Sequence, residues 1–318
     1  MSDFLFAALG LVILLLAGDA LVRGAVNLSL RLGVPALIVS LTIVAFGTSA
    51  PELLIAIKAI NDNAPGIAIG NVVGSNTANI LLVLGVPALL ACLHTSQTDT
   101  RKSYVTMLAV SLLFIAVCFF QPLTWVHGLV LLAVLAVILG DQFRQALAHR
   151  NGDNGDEEDV EGADPEMPWW RISVFLVLGL IGLPLGADIL VDSSVTIART
   201  FGVSETVIGL TLVAIGTSLP ELATTMMAAF RRQAEVALGN VIGSNMFNLL
   251  AIIGLATLVG PIPVDRTFLV LDLWVMLAAS LMLAPFVFSS SRDMTKRWGL
   301  LFTVFYIAYL WAVISHGS

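Results

Sequence analysis

Residues 45–53 read AFGTSAPEL, and residues 214–222 read AIGTSLPEL. A shift of 169 residues lays the second on the first. The same shift lays GNVVGSNTAN at 70–79 on GNVIGSNMFN at 239–248. No gap is needed between Leu16–Gly85 and Leu185–Gly254, and 28 of those 70 positions are identical. Shared apolar composition produces scattered matches. It does not reproduce AxGTSxPEL and GNVxGSNxxN at one constant offset, so the chain carries an internal duplication.

The duplicated stretches lie in an apolar chain. Of 318 residues, 58% are hydrophobic and 12% charged, about half the charge of an ordinary soluble domain. Mean hydropathy is +0.96. The apolar residues fall in runs of roughly 20, the length that crosses a hydrocarbon core as a helix. Ten spans are expected, roughly 3–26, 36–60, 66–93, 103–120, 124–147, 170–198, 206–230, 235–260, 267–288 and 296–315. The runs are too long, and alternate too little, for barrel strands. The first 25 residues lack a positive leader and a small-residue cleavage site, so they read as a retained first helix. The fold expected is an all-α membrane protein. Residues 1–148 form a first five-helix repeat, 149–168 an acidic linker, and 169–318 a second five-helix repeat.

Five is an odd number, so the second copy enters the membrane from the opposite side. Such inverted repeats usually hold their substrate near the bilayer midplane between the copies. Orientation follows from the Lys/Arg bias of short loops. One set of loops and span ends holds Arg23, Arg31, Arg101, Lys102, Arg144, Arg150, Arg171, Arg231, Arg232, Arg292, Lys296 and Arg297. The other holds Lys58, Arg199 and Arg266. This asymmetry assigns the linker to the cytoplasm and both termini to the outside of a plasma (inner) membrane.

Glu52 and Glu221 sit inside apolar spans, where an ionised carboxylate costs several kcal/mol unless it finds a partner. No Lys or Arg lies in either motif, so a bound cation is the obvious counter-charge. A protonated Glu serving as helix glue is the bland alternative. Two glutamates at equivalent positions, each in a polar cluster, weigh against it. Pro51 and Pro220 should interrupt their helices and free the carbonyls of Gly47 and Gly216, since proline donates no backbone hydrogen bond. Calcium takes six to eight hard oxygens, typically carboxylates and carbonyls. Gly70/Gly74 and Gly239/Gly243 have the GxxxG spacing that lets helices approach. Ser75 and Asn79 are four apart and share a helix face, as do Ser244 and Asn248.

AFGTSAPE with GNVVGSNTAN, and AIGTSLPE with GNVIGSNMFN, resemble the two alpha repeats of the sodium/calcium exchanger family, in the cation/calcium exchanger superfamily. The chain is most similar to the compact prokaryotic calcium/sodium antiporters. The resemblance implies that Glu52 and Glu221, with the carbonyls of Thr48 and Thr217, hold calcium. It implies sodium sites from Ser49, Ser75 and the carbonyl of Ala45, and from Ser218, Ser244 and the carbonyl of Ala214. Asn79 and Asn248 would complete the middle. Some family members carry Asp at one or both of these last two positions. Calcium/proton exchange on the same glutamates is the alternative transport reading, and a carboxylate-lined channel is another.

The remaining signals point to little chemistry. Asp19 and Asp188 are repeat-equivalent and read as interfacial, with a gating role as the alternative. Eight of the 22 acids lie between Asp153 and Glu166, a solvated tether without EF-hand register. Cys92 and Cys118 form no disulfide or metal framework. His94, His127, His149 and His316 are scattered and suggest no zinc cluster. No nucleotide-binding loop or hydrolytic motif is present, so neither ATP-driven pumping nor enzyme activity is expected. No cofactor is expected. The partners expected are the bilayer and the transported Ca²⁺ and Na⁺, with no nucleic acid.

Overall fold

The computed structural model describes residues 2–151, 164, 166–201, 214–289 and 291–317. The chain is helical, and the β pairing among the described residues is limited to two isolated antiparallel bridges, Leu93 with Met294 and Leu123 with Ile262. The first half comprises α1 Ser2–Leu32, α2 Ala36–Thr48, α3 Ala50–Asn61, α4 Pro65–Leu90, α5 Arg101–Cys118 and α6 Trp125–Asn151. The second comprises α7 Trp169–Thr200, α8 Ala214–Gly216, α9 Leu219–Phe230, α10 Ala234–Val259, α11 Phe268–Val287 and α12 Lys296–Gly317. Seven helices are long and apolar enough to cross a membrane, and the bent pair α2/α3 makes up to eight among the described residues. The expected span over 206–230 begins outside the described residues, as does most of the 149–168 linker.

Residue chemistry explains the layering. The windows of α4 and α10 are 78% and 89% buried, whereas those of α6 and α7 are 22% buried. The first two carry the Gly, Ser and Asn motifs, which pack against protein and cannot face lipid cheaply. The outer helices expose Leu5, Leu16, Val137, Ile181 and other large apolar side chains, which cost nothing against hydrocarbon. α1 and α7 pack antiparallel along their lengths. A Cβ added at Gly10 would lie 2.6 Å from the Leu190 nitrogen, and one at Gly24 would lie 2.8 Å from the Leu176 side chain. α6 packs on the C-terminal part of α10, and α12 on that of α4.

Two irregularities recur in both halves. A π turn begins on Asn79 within α4 and another on Asn248 within α10. Such turns insert an extra residue and often mark functional positions. Each half also breaks its motif helix at a serine. Ser49 has φ −86 and ψ 4, and Ser218 has φ −91 and ψ 5; α2 and α3 meet at 41°. Pro51 and Pro220 therefore do not kink continuous helices from within, as the sequence suggests. They stand in the first turn of α3 and α9, where a missing N–H goes unmissed. Glu52 and Glu221 also fall in those first turns, at the positive ends of the helix dipoles.

Candidate cation site

The broken helices and the two π-bulged helices meet in one polar cluster. Glu52 and Glu221 are 1% and 0% exposed and close enough for their charges to act on each other. Thr48, Ser49, Ser75, Asn79, Ser218, Ser244 and Asn248 are buried with them. The cluster is tied across the halves. Ser49 Oγ donates to Glu221 Oε1 at 3.3 Å. The Thr48 hydroxyl lies 3.2 Å from Asn240 Oδ1 and 3.4 Å from Ser244 Oγ.

A reciprocal amide lattice joins α4 to α10. Asn76 Nδ2 donates to the Asn245 carbonyl at 3.1 Å, and Asn245 Nδ2 to the Asn76 carbonyl at 3.3 Å. Asn79 Nδ2 donates to Asn245 Oδ1 at 3.0 Å, and Asn248 Nδ2 to Asn76 Oδ1 at 3.0 Å. These bonds fix both amide orientations: the nitrogens are used, and Asn79 Oδ1 and Asn248 Oδ1 remain without a donor. Glu52 Oε2, Glu221 Oε2 and Ser218 Oγ are also buried without partners. Buried polar atoms are ordinarily satisfied. Five unsatisfied oxygens in one cluster make a chemical environment that only a donor or a cation completes.

Not every residue singled out from the sequence is equally disposed to ligate. The Ala45 carbonyl already accepts the Ser49 N–H at 3.1 Å and lies 3.3 Å from the Thr48 hydroxyl. Ala214 opens α8, and Thr217 is half-buried at the break before Ser218. Asp19 lies outside the cluster. It pairs with Arg23 at 3.0 Å and with Arg231, tying α1 to the α9–α10 turn, while Asp188 is exposed. A separate cavity of 960 Å³ opens beside Pro35, Lys102, Asp141 and Glu235 and includes neither glutamate.

Sequence reasoning passed over Asn76, Asn240 and Asn245 as individual residues. Asn240 Nδ2 donates to the Glu221 carbonyl at 3.3 Å and to Thr225 Oγ1 at 3.1 Å, so it orients the glutamate's own backbone. The signal was available, since all three asparagines recur in GNVxGSNxxN. Gly239 and Gly243 do serve close packing: a Cβ there would lie 2.8 Å from Ser40 Cβ and 2.6 Å from Ala45 Cβ. The segment equivalent to Ser40, from which the same packing of Gly70 and Gly74 would come, lies outside the described residues.

Known proteins share this fold and about a third of this sequence. The chain is 35% identical over 320 residues to the putative antiporter CaxA of Alkalimonas amylolytica, covering 98% of each chain. It is 36% identical to the sodium/calcium exchanger MaX1 of Methanosarcina acetivorans, covering 97% of each. It matches a solved structure of the sodium-calcium exchanger NCX_Mj with a TM-score of 0.80 at 31% identity, over 96% of this chain and 97% of that one. The family described as sodium/calcium exchanger protein matches residues 2–143 and 172–315, both halves with their motifs, and the chain belongs to that family.

Proposed function

We propose that this protein exchanges Ca²⁺ for Na⁺ by alternating access, through one cation site held between two inverted five-helix halves of a ten-span fold. The observation that carries the proposal is the set of five buried, unpartnered oxygens drawn from both halves. Glu52 and Glu221, with the carbonyls of Thr48 and Thr217, supply the hard oxygens that Ca²⁺ prefers. Ser49 and Ser75 on one side, and Ser218 and Ser244 on the other, suit sodium, with the Ala45 and Ala214 carbonyls as further ligands. For Ala45, the Thr48 hydroxyl must point elsewhere. Asn79 and Asn248 offer their free Oδ1 atoms at the middle. The antiparallel packing of α1 on α7 and the reciprocal asparagine lattice support the inverted arrangement. So do the antiporter and exchanger names of the relatives.

The charge balance follows from two carboxylates. They neutralise one Ca²⁺ or two Na⁺, and a third Na⁺ held by neutral oxygens leaves the loaded site positive. Each net charge moved is worth about 2.3 kcal/mol per 100 mV, so the membrane potential then drives calcium toward the side that the Lys/Arg bias assigns to the exterior. The test is radioactive calcium uptake into proteoliposomes under an imposed sodium gradient, with proton and potassium gradients as controls. Uptake should follow sodium alone. Full-rate uptake under a proton gradient in sodium-free buffer would establish calcium/proton exchange instead.

A further inference from the structure

Far from the carboxylates, the α4–α5 and α11–α12 loops meet through the Leu93–Met294 bridge, with backbone bonds of 3.1 and 3.0 Å. Cys92 and His94 flank Leu93, so in extended backbone both point to one face. Asp293 precedes Met294 and lies across from His94. Cys92 Sγ, a His94 ring nitrogen and an Asp293 carboxylate oxygen all lie within 4.8 Å of one another. His94 Nδ1 is 3.0 Å from Asp293 Oδ2. The Ser96 N–H donates to Asp293 Oδ1 at 3.0 Å, which aims Oδ2 at the histidine. All three groups are half-exposed, leaving a fourth side open to water. Reading His94 as scattered and Cys92 as chemically inert, as the linear sequence suggests, overlooks this convergence of two loops, which brings His94 to Asp293, 199 residues further along the chain.

The repeat supplies a control. The equivalent bridge at the other end, Leu123 with Ile262, has bonds of 2.8 and 2.9 Å. It carries Pro261 and Pro263 around Ile262 and Pro122 before Leu123. The fold therefore makes this bridge without Cys, His or Asp, and the triad is not a requirement of the scaffold.

We propose that Cys92, His94 and Asp293 form a binding site for a borderline divalent transition metal such as Zn²⁺, completed by water, that clips the α4–α5 loop to the α11–α12 loop. Thiolate, imidazole and carboxylate with one open position are a tetrahedral zinc set. Bonds of about 2.0–2.3 Å put such ligand atoms roughly 3.3–3.6 Å apart, so His94 and Asp293, now 3.0 Å apart, need only part slightly while Cys92 closes in. Thiolate and imidazole discriminate against Ca²⁺, Na⁺ and Mg²⁺, which prefer oxygen. In the proposed topology the site faces the cytoplasm, where thiols stay reduced.

The experiment uses purified full-length protein in detergent with excess Ca²⁺, so that the central glutamates are occupied. Co²⁺ should bind one per chain and give a thiolate-to-cobalt charge-transfer band that Zn²⁺ abolishes. Cys92→Ser should remove the band and Cys118→Ser, at the other cysteine, should keep it. His94→Gln and Asp293→Asn should each weaken Zn²⁺ binding at least about tenfold, because loss of a supporting ligand partner alone costs that much. Should Cys92→Ser not yield monodisperse protein, Zn²⁺ should slow alkylation of Cys92 in the wild type, and a chelator should restore it. No band in the wild type, a band surviving Cys92→Ser, unchanged Zn²⁺ affinity in both other variants, or no protection of Cys92 would each overturn the proposal.

Discussion

The two helix breaks have nearly the same sequence, and their serines nearly the same dihedral angles, yet their bonds differ. At the first, Ser49 N–H donates four residues back to Ala45, and Ser49 Oγ donates across to Glu221. At the second, Ser218 N–H donates three residues back to Ile215, and Ser218 Oγ is buried without a partner. The supporting asparagines diverge likewise. Asn240 bonds the Glu221 carbonyl and Thr225, whereas Asn71 Nδ2 has no partner. One of these differences is written in the sequence: Ala56 stands where the second half has Thr225, so Asn71 has no hydroxyl there to donate to. Duplicated motifs thus make a site whose halves are unequal in one conformation. The alternating access proposed for this protein requires such inequality, because the two sides are never open together.

The largest effect should come from the two glutamates, which stand at equivalent positions and are equally buried although their neighbours bond differently. Glu52→Gln and Glu221→Gln should each lower Ca²⁺ exchange at least a hundredfold in proteoliposomes. Two unit charges 4 Å apart interact by about 4 kcal/mol at an effective dielectric near 20, and each 1.4 kcal/mol is tenfold. Both variants should remain monodisperse, since Gln retains volume and hydrogen bonding. Near wild-type exchange by either would return these residues to the role of helix glue.

Next comes the asparagine pair, measured as thermal stability of the ion-free protein. Asn240→Ala removes bonds to Thr48, Thr225 and the Glu221 backbone. At about 0.6 kcal/mol per interhelical side-chain bond in a membrane protein, the loss should be roughly 1–2 kcal/mol. Asn71→Ala should cost less than about 0.5 kcal/mol by the same scale. Equal losses would mean that the halves are energetically alike.

The serines sharpen the contrast further, because stability and ion binding should separate. Ser49→Ala should destabilise the ion-free protein by about 0.6 kcal/mol, and Ser218→Ala should leave its melting temperature unchanged. Both should weaken sodium-dependent calcium release, if each serine ligates sodium only when the ion is present. A Ser218→Ala variant with normal sodium dependence would remove that residue from the site.

The smallest effect is a coupling. Thr225→Ala should cost about 0.6 kcal/mol in the wild type and nothing in an Asn240→Ala background, read from a double-mutant cycle. Additive losses would show that Thr225 acts through packing and not through Asn240.

Much of the buried polar cluster, the candidate site, was legible in the linear chain. Glu52, Glu221, Ser49, Ser218, Asn79 and Asn248 stand out because a buried carboxylate or amide is costly and each occurs twice at one offset. What was not legible was how neighbours divide their lone pairs. Asn79 and Asn248 announce two amides, but not that Asn245 and Asn76 consume their nitrogens and leave the oxygens. Proline spacing announced a break near Pro51, but the turn forms at Ser49, because proline prefers the first turn of a new helix to the interior of an old one.

The sequence by itself determined the duplication, the membrane solvent and the pair of buried carboxylates, since these depend on repeat offset, run length and the cost of charge in hydrocarbon. Only the tertiary structure decided which oxygens remain without donors, that Asn71 and Asn240 lead different lives, and that Cys92 and His94 meet Asp293. Hydrogen-bond satisfaction and ligand convergence are properties of side chains brought together from 166 to 201 residues apart, and a difference outside the motifs, such as Ala56 where the second half has Thr225, removes one partner without disturbing the pattern along the chain.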